Sequence, residues 1–221
     1  MRHFDTGYFK KKINKRKFIS KKRDITNRII AWGLDKEYYD GDRINGYGGY
    51  NYDGRWKKFL PKIIKRYKLK KNSKVLDLGC KKGFFMKDLK DLVPGIKVYG
   101  IEDHKYAIKK AHPDVKKNIK LSEYYKLPFK NKEIDFIFAF NSIYTHNLRH
   151  TVNSLKEMER VGKKNYVVVA SFENEKERQA FLNWTVIGTT VLSKKEWLKL
   201  FKFIGYKGDY YFSTAKTLGL I

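Results

Sequence analysis

Three stretches of this chain hold residues whose types and spacing suit ligand binding and catalysis. In the first, Val75-Leu76-Asp77-Leu78 runs into Gly79-Cys80-Lys81-Lys82-Gly83 and then into the apolar Phe84-Phe85-Met86. A strand, a glycine turn and a helix start in that order bring backbone N–H groups to the carboxyl edge of a sheet, where a ligand can lie against them. Asp77, at the strand end, is placed to accept hydrogen bonds from a ligand ammonium or to order the turn. In the second, about nineteen residues beyond Gly83, the usual interval of such a unit, Val98-Tyr99-Gly100-Ile101 ends in Glu102-Asp103. A carboxylate there can bind both hydroxyls of a ribose. In the third, an apolar run up to Phe140 ends in Asn141, with Tyr144 and His146 following on a loop. His146 suits a general base near neutral pH, or caps the helix that starts near Asn147. His104 either lines the ribose side or sits in solvent.

Missing patterns remove other chemistries. No Gly-x-Gly-x-x-Gly occurs, and a dinucleotide pyrophosphate would meet Lys81 and Lys82 instead of glycine. The five histidines are scattered without metal-ligand spacing, so no metal is expected. A Gly-x-Ser-x-Gly elbow and a phosphate-loop Gly-Lys-Ser/Thr are both absent, which sets aside hydrolases and nucleoside triphosphatases.

These residues must be held by a scaffold, and the hydrophobic pattern supplies one. Strands are predicted over Lys74–Leu78, Lys97–Glu102, Asn118–Leu121, Ile134–Phe140, Asn165–Ala170 and Asp209–Thr214. Helices are predicted over Lys57–Tyr67, Phe84–Leu92, Lys105–Ala111, Asn147–Arg160, Glu175–Trp184 and Lys194–Phe203, the last opened by a Ser193/Glu196 capping box. Such alternation predicts a doubly wound α/β fold, a mostly parallel sheet with helices on both faces. Ahead of it, residues 1–56 form a separate N-terminal part. Residues 1–22 carry a basic arm (Lys10, Lys11, Lys12, Lys15, Arg16, Lys17, Lys21, Lys22) with Phe4, Tyr8, Phe9 and Phe18 between the charges. From Tyr38 to Trp56 the chain is rich in glycine, Asn/Asp and aromatics, a structured loop expected to act as a lid or substrate wall, with Asp40, Asp42, Tyr47, Tyr50 and Trp56 as substrate-binding candidates.

A chain of 221 residues, 42% hydrophobic, can bury one good core, so residues 57–221 are expected to form a single catalytic domain. No run of about 18 apolar residues is present, and the Lys/Arg-rich N-terminus lacks the apolar stretch of a secretory signal, which points to a soluble cytoplasmic protein. Cys80 is the only cysteine, which rules out an intrachain disulfide. The net charge of +27 would attract nucleic acid, anionic lipid or phosphorylated substrates, or it reflects lysines scattered over solvated faces.

The run Val75-Leu76-Asp77-Leu78-Gly79-Cys80-Lys81-Lys82-Gly83-Phe84 strongly resembles the first motif of class I S-adenosylmethionine-dependent methyltransferases. Leu127-Pro128-Phe129 followed by Ile134-Asp135-Phe136-Ile137 resembles their next signature, and the likeness covers about Trp56 to Thr214. It implies a Rossmann-like methyltransferase sheet and S-adenosylmethionine as cofactor. Asp77, Gly79 and Gly83 would border its methionine and ribose parts, Glu102 would take the ribose hydroxyls, Glu123 would lie near the adenine amine and Asn141 would face the pocket. Cys80, Asp103 and Tyr124 complete the implied cofactor set. Tyr38–Trp56, His146-Asn147-Leu148, Arg160-Val161-Gly162-Lys163, Trp197 and Gly205-Tyr206-Lys207-Gly208-Asp209 are further similar to a type 11-like group of small-molecule methyltransferases often linked to bacterial surface-polysaccharide clusters. Two departures stand out: Lys81 replaces the middle glycine of the motif, and the chain stops soon after the strand near Tyr211, leaving the usual final antiparallel hairpin incomplete.

For such an enzyme the sulfonium supplies an activated methyl, so alignment and exclusion of water dominate catalysis. His146 is the first choice of base and Tyr144 the second catalytic candidate. The expected acceptor is an oxygen or nitrogen of a small metabolite, most simply a sugar or sugar nucleotide, whose phosphates a positive approach would suit. An RNA methyltransferase using the basic arm is the alternative, although Phe140-Asn141-Ser142-Ile143 is not the Asn/Asp-Pro-Pro-Tyr/Phe motif of amino methylation. A non-catalytic binding protein on the same fold is the third reading, raised by Lys81.

Overall fold

The computed structural model describes residues 1–9 and 23–221; the basic cluster from Lys10 to Lys22 lies outside the described residues. The strands are β1 (Lys74–Leu78), β2 (Lys97–Glu102), β3 (Ile119–Leu121), β4 (Phe136–Phe140), β5 (Asn165–Phe172), β6 (Leu192–Ser193) and β7 (Asp209–Ser213). The helices are α1 (Ile25–Trp32), α2 (Lys36–Tyr39), α3 (Leu60–Tyr67), α4 (Phe84–Leu92), α5 (Lys105–Lys109), α6 (Pro113–Lys116), α7 (Leu148–Val161), α8 (Glu175–Trp184) and α9 (Lys194–Phe203). Ser193 and Glu196 form the capping box at the start of α9, as its sequence predicts.

The seven strands make one sheet in the order β3-β2-β1-β4-β5, with β6 and β7 both paired to β5. Every strand pair among the described residues is parallel, so no closing antiparallel hairpin occurs there. The winding reverses between β1 and β4. At such a reversal the helices leave to opposite sides and open a crevice at the carboxyl ends of the two strands, the place where open α/β sheets take ligands. Beyond β7, residues 2–4 add a short parallel bridge: Phe4 N–H donates to Tyr210 O at 2.9 Å and Tyr210 N–H to Arg2 O at 3.0 Å.

Burial follows the near-continuous apolar runs that parallel strands need. Phe136 stacks on Tyr67 at 4.0 Å, and Phe138 stacks on Phe85 at 4.0 Å. Trp56 meets Phe85, Phe138 and Phe140 edge-on, Tyr8 stacks on Trp56, and Phe9 lies parallel to both Phe140 and Tyr211. The N-terminal residues thus share the sheet's core. A second, smaller cluster joins Ala31, Tyr38, Tyr39, Ala107 and Val186, with Tyr47 and Tyr50 packed on it.

Several boundaries differ from the sequence pattern. Helix α3 starts at Leu60, after a 3-10 turn over Arg55–Lys58, because Pro61 suits a first helical turn and no interior position. Helices α1, α2 and α6 and strand β6 are additional; three of them are four residues or shorter, below the length at which periodicity carries a signal. No helix among the described residues is long and apolar enough to cross a membrane.

Candidate functional site

A cavity of about 350 Å³ opens where β1 and β4 part. Asp77, Gly79, Cys80, Lys81 and Asn141 wall it from the sheet edge. Tyr38, Tyr47, Tyr50 and Trp56 close it from the aromatic segment, and Thr185–Ile187 and Tyr144 from the loops after α8 and β4. The floor is tight at Gly79, whose φ of +79° lies in the left-handed region. A Cβ there would run into the Ser142 Cβ and come within 2.9 Å of its Oγ. Gly83 faces the other way, and a Cβ on it would press on Val115.

Lys81 is left-handed too, at φ +53°, a conformation that disfavours any residue with a Cβ. Its side chain lines the cavity, where Asp77 and Glu102 attract the ammonium. Its N–H donates to Glu102 Oε2 at 2.6 Å. Burial pushes the Asp77 carboxyl up to about 8, with Lys81 opposing and Glu102 adding to the rise. Asn141, at φ +49°, carries a buried Oδ1 that has no hydrogen-bond partner among the described residues.

Beside the cavity lies a cluster of carboxylates and imidazoles. Glu102, fully buried at the end of β2, also accepts from the Tyr124 hydroxyl at 3.2 Å and faces His104 Nδ1 at 2.7 Å. Asp103 faces His104 Nε2 at 3.1 Å and His146 Nε2 at 3.0 Å. Burial opposes charge on Asp103, yet the two imidazoles hold it down at about 2. Burial likewise opposes charge on His104, and the Glu102 and Asp103 carboxylates outweigh it, raising the ring above the ordinary histidine range.

The residues singled out from sequence therefore fall into three places. Asp77, Gly79, Cys80, Asn141, Tyr144, Tyr47, Tyr50 and Trp56 line the cavity. Glu102, Asp103, Tyr124 and His146 form the adjoining polar cluster, and Glu123 is exposed next to it. Asp42 accepts from the Ile44 N–H at 2.9 Å and shapes a turn. Asp40 joins the aromatic segment to the glycine turn: Lys82 Nζ donates to its oxygens at 2.6 and 2.8 Å, the Tyr106 hydroxyl at 2.8 Å and the Tyr50 N–H at 3.2 Å. The Lys82 ammonium also sits 5.9 Å from the ring centres of Tyr39 and Tyr50. Since Lys82 is 5% exposed, Asp40→Ala strands a buried ammonium. The expected loss is about 3 kcal/mol, read by chemical denaturation, and Asp40→Ala/Lys82→Met is expected to recover most of it. Arg23, Arg43 and the Thr185–Ile187 wall carry no motif; a short apolar run after a helix was their one sequence signal.

A doubly wound parallel sheet with a glycine turn after β1 and a cavity at its reversal defines an α/β protein of the kind that takes ligands at the carboxyl ends of its strands. The chain belongs to the methyltransferase-domain family, which matches residues 69–205, and it is a class I S-adenosylmethionine-dependent methyltransferase. No curated protein matches it in sequence. Solved structures agree on the fold. A chain of the complex between the Haloferax volcanii Trm112 methyltransferase activator and a methyltransferase is 20% identical, with 83% of this chain and 76% of that one covered and a TM-score of 0.53. A protein from Bacillus halodurans described as a methyltransferase is 18% identical over 66% of this chain and 68% of its own, TM-score 0.52. The [4+2]-cyclase SpnF is 15% identical over 81% and 70%, TM-score 0.54.

Proposed function

We propose that this enzyme transfers the methyl group of S-adenosylmethionine to an oxygen or nitrogen of a small metabolite, of the sugar or sugar-nucleotide kind. The observation that carries this reading is the cavity of about 350 Å³ between the sheet edge and the aromatic segment, a size that suits small ligands. The residues fit the cofactor: Gly79 leaves room for close approach, Asp77 offers a carboxyl to an ammonium, and the unpartnered Asn141 Oδ1 offers an acceptor. Glu102 and Asp103 would hold the ribose hydroxyls, with Gly83 and Cys80 shaping the turn and Glu123 and Tyr124 on the adenine side. When bound, the cofactor supplies a methyl group already activated by its sulfonium.

The chain's own work is then to orient and to keep water out. Tyr38, Tyr47, Tyr50 and Trp56 wall the acceptor side with apolar rings, and Asp40 pins that wall to the glycine turn through Lys82. His146 would take the proton of an acceptor hydroxyl on its ring, with the Asp103 carboxylate stabilising the resulting imidazolium. Tyr144 would position the acceptor.

Calorimetric titration with S-adenosylhomocysteine, followed by an acceptor screen, tests the proposal; a chain that binds no S-adenosylhomocysteine overturns it. The raised Asp77 pKa adds a pH dependence. Pairing with the cofactor ammonium requires ionised Asp77, so affinity is expected to rise about tenfold per pH unit between 6 and 8. The fold itself moves the opposite way. The unfolded chain ionises Asp77 near 4 and the folded chain near 8, so the stabilising difference present below 4 is lost as pH rises through 8. Asp77→Asn is expected to flatten both profiles, as titrations and melts across this range would show.

A further inference from the structure

Helix α1 presents its apolar side outward. Ile25, Ile29 and Trp32, spaced i, i+4 and i+7, fall on one stripe of the helix and are 62%, 58% and 59% exposed. Polar side chains of the same helix face the protein instead: Asn27 Nδ2 donates to Asn45 Oδ1 at 3.0 Å, and the Arg28 guanidinium donates to the Leu182 carbonyl. Of the eight residues only Ala31 is buried. A surface helix ordinarily lays its apolar stripe on the core, and apolar side chains left together in water mark a surface that meets something apolar. Trp32 is also the exposed member of the four tryptophans; Trp56 and Trp197 are buried and Trp184 is partly buried.

The charge beside this stripe says what it meets. Positions 10–22, outside the described residues, hold eight Lys and Arg and no Asp or Glu, and the chain runs from them through Arg23 and the N-cap Asp24 directly into α1. No acid occurs within α1, and the two aspartates that flank it are spent on caps: Asp24 accepts from the Asn27 N–H at 3.1 Å and Asp35 from the Glu37 N–H at 2.9 Å. A second copy of the chain is a poor occupant, since each carries a net charge of +27 and the same basic run. RNA would use the charge and leave Ile25 and Ile29 in water. An anionic bilayer uses both, its headgroups taking the cations and its acyl boundary the aliphatic side chains, with a tryptophan at the level between. We propose that α1 docks this protein on an anionic lipid surface, with Ile25, Ile29 and Trp32 seated below the headgroups. Three apolar side chains make a short stripe, and salt weakens attraction by charge alone; the two signals together give stable, reversible attachment. Arg23, which immediately precedes Asp24, lines the cavity, so docking through α1 holds that wall of the cavity beside the headgroups.

The test is co-sedimentation of the full chain with vesicles of phosphatidylcholine alone and of phosphatidylcholine mixed with phosphatidylglycerol. Wild type is expected to bind the anionic vesicles about tenfold or more tightly than the neutral ones. The triple variant Ile25→Ser/Ile29→Ser/Trp32→Ser is expected to weaken that binding about tenfold or more, through the apolar area it no longer buries, at an unchanged melting temperature because all three side chains are exposed. Tryptophan emission supplies a second readout: it shifts to the blue when wild type meets anionic vesicles, and Trp32→Phe keeps the binding but loses the shift. Should the triple variant melt early, the comparison of wild type with Trp32→Phe decides. No binding to anionic vesicles, binding that a well-folded triple variant retains in full, or wild-type emission that vesicles leave unmoved overturns the proposal. A mass that rises with concentration in sedimentation equilibrium, and no longer does so in the triple variant, would make α1 an interface between copies and overturn it as well.

Discussion

Glu102→Ala is expected to abolish S-adenosylhomocysteine binding and to lower the stability of the fold by about 3 kcal/mol. The carboxylate is fully buried, accepts from the Lys81 N–H and the Tyr124 hydroxyl, and lies 2.7 Å from the His104 Nδ1. Truncation leaves two donors without their acceptor, each worth about 1–3 kcal/mol when left unmade. It also loosens the glycine turn, since the bond from Lys81 joins it to the end of β2 beside the Gly79 and Cys80 N–H bonds to the Ile101 carbonyl. Glu102→Gln separates the two effects. Its amide oxygen can still accept from Lys81, so most of the stability is retained, while His104 loses a carboxylate and its pKa falls back toward the ordinary range. Urea denaturation, imidazole proton titration by NMR and S-adenosylhomocysteine calorimetry read the three quantities. Wild-type affinity in Glu102→Ala would remove Glu102 from the cofactor site.

Gly79→Ala is expected to be equally severe for a different reason. The backbone at φ +79° charges any Cβ about 1 kcal/mol, and the added methyl collides with Ser142. Ser142 cannot step aside freely, because its hydroxyl donates to the Leu78 carbonyl at 2.6 Å inside the core. Overpacking of this kind costs about 1–3 kcal/mol more, and the displaced turn would no longer admit a ligand. The combined expectation is a loss of about 3 kcal/mol with no measurable S-adenosylhomocysteine binding. Adding Ser142→Gly should relieve the collision but not the backbone term, so the double variant is expected to regain about half the stability. A Gly79→Ala protein that melts and binds like wild type would show that the turn has slack the packing does not suggest.

Much of this architecture could be read before the fold was known, because its signals are local. The strand-turn-helix around Gly79 announces itself through residue order, and β1, β2 and α9 carry the predicted boundaries. What escaped are relations between distant segments. Asp40 looked like a polar loop residue open to substrate, and only the approach of Lys82 and Tyr106 from other elements makes it a clasp. In the sequence Glu102 and His146 stand apart with separate expected tasks, and the fold gathers them through Asp103 and His104 into one network. Helix α1 escapes the pattern because it is eight residues long and closely follows the basic cluster, too short a run for periodicity to carry. Arg23 was hidden among lysines whose spacing says nothing of burial.

The parallel bridge between residues 2–4 and β7 also has a kinetic meaning. It joins two segments from opposite ends of the described chain, so the loop it closes is long and its formation is entropically late. Until then β7 presents a bare rim of backbone groups, the kind of edge on which a second unfolded chain can settle. Phe4, Tyr8 and Phe9, once docked against Tyr166, Trp56 and Tyr211, seal that rim with aromatic contacts. Removing residues 1–9 is therefore expected to lower refolding yield as chain concentration rises, which light scattering during refolding would show.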